Sequence, residues 1–114
     1  MNVLQQSLTV IAELNVAPGN IAVSSDGRIF LSLHQFHNPA FCVCELVEGQ
    51  VFPYPDGPGS ELIGFTSVLG VQIDLAGCLW MLDNGDRNRM QPKLVGWNIA
   101  KNCLERIIYL PTPI

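Results

Sequence analysis

Three features of the 114-residue sequence predict an all-β fold. The chain falls into short runs rich in β-branched and aromatic side chains, and turn chemistry bounds those runs. No apolar period of 3.6 residues is sustained, which argues against amphipathic helices. The strand pattern also recurs at a constant offset of 50 residues, so that Asn20–Leu33 aligns with Gly70–Asp83. Ile21 falls on Val71, Val23 on Ile73 and Gly27 on Gly77, and Ile29-Phe30-Leu31 falls on Leu79-Trp80-Met81.

The elements follow in order. Leu8–Leu14 reads as a leading strand. The first repeat has an inner strand at Asn20–Val23, a tight turn at Ser25-Asp26-Gly27 and an apolar strand at Ile29–Leu33. It continues with strands around Phe41–Val47 and Gln50–Pro55, joined by the hairpin pair Glu48-Gly49. The second repeat places strands at Gly70–Ile73, Leu79–Asp83, Lys93–Ile99 and Leu104–Pro111, with turns at Ala76-Gly77 and Lys101-Asn102. Four strands per repeat at a period of about 40–50 residues is the pattern of a β-propeller blade. The predicted architecture is therefore a single partial propeller domain over 1–114. It has two four-stranded antiparallel blades, at about 18–55 and 68–111, and a leading strand at 8–14. Phe30, Phe52, Trp80 and Trp97 are expected in the core between the sheets. Cys42 and Cys44 are expected on one face of a strand. With Cys78 and Cys103 they lack zinc-ligand spacing and are expected as reduced thiols.

Composition adds an expectation about partners. The chain is 48% hydrophobic and only 14% charged, with a mean hydropathy of +0.28. A domain of this size buries only roughly 65% of its unfolded-chain surface, so this much apolar content predicts self-association through open blade faces. A membrane is not the expected partner. The longest charge-free stretch, Ile29–Cys44, is interrupted by Ser32, His34, Gln35, His37, Asn38 and Pro39, and a spanning helix needs about 20 mostly apolar residues. The first six residues have neither a basic segment nor a signal-like apolar core, so a cytoplasmic location is expected. The net charge of −4 and scattered bases exclude a nucleic-acid footprint.

Long loops on a rigid scaffold carry most binding residues. In a four-stranded meander the long loops, His34–Ala40, Asp56–Ser67 and Asp83–Pro92, share one end. The candidate ligand-binding residues are Asn20, His34, His37, Asp83 and Asn84. His34 and His37 form a His-x-x-His pair suited to a metal or to proton transfer, and the alternative is loop polarity bonded to backbone. Asp83-Asn84-Gly85-Asp86 resembles part of an oxygen-rich calcium loop but lacks its closing Glu. A turn with Asn and Gly at positive φ is the expected role. No cofactor is expected, and calcium or another divalent metal is not supported. Asn20 and Gln72 begin inner strands and are placed to face a central channel that takes a small ligand. No catalytic residue is assigned, because no Ser/His/Asp set, phosphate loop or nucleophile elbow occurs.

Several stretches carry a resemblance. They are Pro18-Gly19-Asn20-Ile21-Ala22-Val23, Asp26–His34, Leu79-Trp80-Met81-Leu82-Asp83-Asn84-Gly85, Lys93-Leu94-Val95-Gly96-Trp97-Asn98 and Arg106-Ile107-Ile108-Tyr109-Leu110-Pro111. In order and spacing they resemble the bacterial branch of the major royal jelly/yellow protein family, from about Leu8 to Ile114. The resemblance implies a six-bladed propeller of several hundred residues, of which this chain resembles the first two blades. Family activities are diverse: pigmentation and dopachrome conversion for insect yellow members, nutritive or small-molecule-binding roles for royal jelly members. Bacterial members are similar to the senescence-marker/gluconolactonase proteins, which hydrolyse lactones with a divalent metal. That chemistry is disfavoured here. Pro18-Gly19-Asn20 stands where that family has Glu-Gly-Pro with a metal-binding Glu, and Ser67–Val71 stands where it has Arg-x-Asn-Asp-Gly. The leading expectation is a royal jelly/yellow-like fragment that binds a small molecule on the long-loop face and is not an enzyme by itself. The alternatives are a two-blade subunit closing a homotrimeric six-bladed ring, a lactonase-like hydrolase, and a structural or interaction module.

Overall fold

The computed structural model describes residues 8–34 and 41–111. It contains two four-stranded antiparallel sheets. The first comprises β1 (Pro18–Val23), β2 (Ile29–Leu33), β3 (Val43–Val47) and β4 (Gln50–Pro53). The second comprises β5 (Val68–Ile73), β6 (Cys78–Asp83), β7 (Lys93–Asn98) and β8 (Cys103–Tyr109). Both sheets run as simple meanders in chain order. A 3-10 turn at Ser60–Leu62 and a short helical turn at Gly85–Asn88 are the helical segments among the described residues. No helix there is long and apolar enough to cross a membrane.

The turn residues do what their chemistry requires. Glu48 and Gly49 both take positive φ, 51° and 79°, as a two-residue hairpin turn demands. Asn102 closes the β7–β8 hairpin at φ 50°.

The 50-residue repeat is present bond by bond. The Ser24 N–H donates to the Arg28 carbonyl at 2.8 Å, and the Asp74 N–H donates to the Cys78 carbonyl at 3.0 Å. The His34 N–H donates to the Ala17 carbonyl at 3.2 Å, and the Asn84 N–H donates to the Ser67 carbonyl at 3.0 Å. Pairing is irregular between Pro18 and Asn20 in the first sheet, and between Val68 and Gly70 in the second. Gly27 and Gly77 share a positive φ of 88° and 84°.

Side-chain alternation along each strand gives every sheet two faces. One face of the second sheet, with Val71, Leu79, Met81, Val95 and Trp97, packs on the Ala22, Phe30 and Val43 face of the first. Trp97, Phe30, Leu79 and Met81 are fully buried in this seam. Phe30 and Tyr54 stack with centroids 4.8 Å apart. The Tyr54 hydroxyl and the Trp97 Nε1–H both donate to Asn102 Oδ1 at 3.2 Å, tying the sheets together. Arg28 makes a two-pronged contact with Glu45 at 2.7 and 2.9 Å.

Four placements differ from the sequence expectation. Trp80 and Phe52 lie outside the seam. Trp80 is the neighbour of the inward Leu79 and Met81, and so points to the opposite face; Phe52 is 49% exposed on the outer strand. Cys42 packs beside the seam and Cys44 packs on the far side of the first sheet. Cys42 lies in a bend before β3, which breaks the two-residue alternation. Residues 8–14 form no strand. They keep the alternation of a strand, but no ladder among the described residues takes up their backbone groups.

Candidate functional site

Asp83 ends β6 opposite Val68 on one side and Lys93 on the other. It is 1% exposed, and its carboxylate faces backbone rather than solvent. Oδ2 accepts from the Thr66 N–H at 2.7 Å, and Oδ1 accepts from the N–H groups of Ser67 at 3.2 Å and Gly85 at 2.8 Å. These bonds fasten the loop before β5 to the loop after β6. Asn84 continues the clamp by accepting from the Ser67 hydroxyl, and Ser67 Oγ in turn accepts from the Asp86 N–H at 3.0 Å. Beyond Asn84 (φ −81°) the chain turns through positive φ at Gly85, Asp86 and Arg87. The expected positive φ thus falls on Gly85 but not on Asn84, whose side chain is held by Ser67 instead.

Lys93 is the residue that sequence reasoning missed. It is 8% exposed, and its ammonium donates to the carbonyls of Ile63 and Gly64, the latter at 2.8 Å. Asp83 and Lys93 are cross-strand neighbours, and each grips the same incoming loop. Both are charged groups in a buried place, and each is satisfied there by backbone partners rather than by water. The available signal was a lysine opposite an aspartate at the head of two apolar strands.

Of the remaining candidates, Asn20 lies apart from this cluster. His34 follows β2, with its N–H on the Ala17 carbonyl. His37 lies outside the described residues. Asn20 is exposed, and its Oδ1 accepts the N–H of Ile21 at 2.6 Å. Among the described residues, no group of three or more His, Cys, Asp or Glu side chains converges to hold a metal. No disulfide joins the cysteines, and burial pushes the thiols of Cys42, Cys44 and Cys78 up, which keeps them protonated and unreactive at neutral pH.

Asn20 instead borders an open groove of about 560 Å³ on the outer face of the second sheet, with Gly70, Gln72, Trp80, Leu82 and Leu94. Trp80 is its floor. The ring lies against Gly96, where a Cβ would sit 2.9 Å from two ring carbons. Its Nε1–H donates to Asp74 Oδ2 at 2.9 Å, and Asp74 Oδ1 accepts the N–H groups of Cys78 and Ala76 at 2.9 and 3.0 Å.

These bonds, the one from Trp80 first, hold the Asp74 carboxyl below the usual aspartate range. The folded-state pKa lies below the unfolded one, so the stabilisation is present above the unfolded value of about 3.9 and fades as pH falls through the folded value. Denaturant titrations at pH 7 and near pH 3 are expected to show a larger acid loss for the parent than for Asp74→Asn. Equal losses would contradict this assignment.

The groove has an internal counterpart. Gln72, Trp80 and Leu82 lie 50 residues after Ala22, Phe30 and Ser32. Those three are 8%, 0% and 0% exposed beneath the second sheet, whereas Gln72 is exposed, Trp80 half-buried and Leu82 36% exposed. A scan against protein-family models and a search of curated proteins find no match to the chain.

Proposed function

We propose that the chain supplies two blades of a royal jelly/yellow-type propeller and works as an assembly unit, three copies closing one six-bladed ring. The repeat supports this reading, since sheet-on-sheet packing within the chain has the form in which blades succeed one another. One observation carries it: the Trp80 face repeats the Phe30 face, yet among the described residues only the Phe30 face has a sheet on top of it. At the other end the first sheet presents Ile21, Ile29, Leu31 and Cys44, the positions that precede Val71, Leu79, Met81 and Val95 in the repeat. A second copy can therefore lay its first sheet on the Trp80 face in the register the chain already uses internally. Such a contact joins unlike patches and must close into a ring or run on as a filament.

At the long-loop end the Asp83 carboxylate is engaged by backbone N–H groups, which favours the assembly reading over a small-molecule role for that residue. In the ring, β1 and β5 are the inner strands, and Asn20 and Gln72 lie along them. Any ligand site then belongs to the assembled ring. Sedimentation equilibrium tests the reading. A mass that climbs with concentration towards three times the 12.5 kDa chain mass supports it, and a folded species held at the single-chain mass overturns it.

A further inference from the structure

The two open faces are not equally bare. On the first sheet, Leu31, Leu33 and Cys44 are 4%, 6% and 0% exposed although no second sheet lies over them among the described residues. Leu14, Val16 and Phe41 pack on this cluster instead. Leu31 is the repeat counterpart of Met81, and Leu33 of Asp83, both of which the body of the protein covers. The segment before β1 thus sits where a neighbouring sheet would sit.

It does so in extended form. Ala12, Leu14 and Val16 are half-buried, while Ile11, Glu13 and Asn15 between them are exposed. Its attachment is weak: no strand ladder among the described residues includes it, and Leu8, Val10 and Ile11 are 70%, 77% and 66% exposed. The cover is also partial. Ile21 and Val23, at the other end of the same sheet, are 56% and 57% exposed.

We infer that residues 8–16 are a displaceable cap on the outer face of the first sheet, competing with a second copy for that seat. This rests on the assembly reading above. A cap docked most of the time leaves only the uncapped fraction competent, and apparent affinity falls by that fraction. A few apolar contacts, with no strand ladder among the described residues, suit such a device, because they open at a cost far below global unfolding.

The test compares the parent with Leu14→Asp/Val16→Asp by sedimentation velocity over a concentration series, with Leu82→Asp in both backgrounds. Urea unfolding confirms that each protein is folded. The double variant loosens the cap, and its association midpoint is expected to fall by roughly tenfold, as it does when a state competent one time in ten is freed. Adding Leu82→Asp is expected to return it to a single chain. If the parent assembles and the double variant assembles equally or less well, the cap is overturned while the assembly stands. If the parent stays a single folded chain at every concentration, the assembly reading itself is overturned and the competition with it.

Discussion

Asp83→Ala is expected to lower stability by about 3–5 kcal/mol, enough to threaten folding of a domain whose total is on the order of 5–15 kcal/mol. The substitution removes a buried anion that accepts three backbone N–H groups. Ser67 and Gly85 are buried, so their donors do not regain water. It also frees the Thr66–Ser67 segment next to the Ile63 and Gly64 carbonyls that the Lys93 ammonium holds. Asp83→Asn keeps one acceptor oxygen and is expected to recover roughly half of the loss. Urea unfolding with an unchanged slope is the measurement. A loss below about 1 kcal/mol for the alanine variant, the scale of one ordinary hydrogen bond, would return Asp83 to the ligand-binding role its position first suggested.

Leu82→Asp is expected to act in the opposite way, leaving the single chain nearly as stable and weakening assembly by more than about 100-fold. Leu82 sits on the outer face of the second sheet, paired with Gly70 and Leu94, and belongs to neither buried cluster. An aspartate there stays hydrated in the single chain. Docking would bury its carboxylate against the Leu31 and Cys44 face with no partner, a penalty of at least several kcal/mol. Trp80 is a poorer site for this test, because the ring also covers Gly96 and bonds Asp74. Equal association of parent and variant, measured by sedimentation velocity, would remove the Trp80 face from the assembly.

Much of the fold was legible because strand alternation and turn chemistry are local. Gly27 and Gly77, Glu48-Gly49 and Asn102 announced turns that the backbone makes at positive φ. The offset of 50 residues announced two equivalent sheets, and the equivalence reaches individual hydrogen bonds. What was not legible is which face of each strand meets the other sheet. Phe30 and Trp80 occupy the same repeat position, and only the order of the two sheets buries one and bares the other.

The site was less legible for a related reason. Asp83 looked like a ligand because it heads a loop, but its repeat counterpart Leu33 is apolar and buried. The second sheet solves the same packing position with a charged clamp, completed by Lys93 ten residues later. The 8–14 segment read as a leading strand, and alternating burial along it keeps that look without a strand. Alternation reports that one side is covered, and here the cover is a sheet face rather than a ladder.

The most direct test of the account is the molar mass of the parent protein in solution, by sedimentation equilibrium across a wide concentration range. A mass rising with concentration towards three chains is expected, with a fall to one chain on Leu82→Asp. A single-chain mass at all concentrations, with cooperative unfolding that does not depend on concentration, would contradict it.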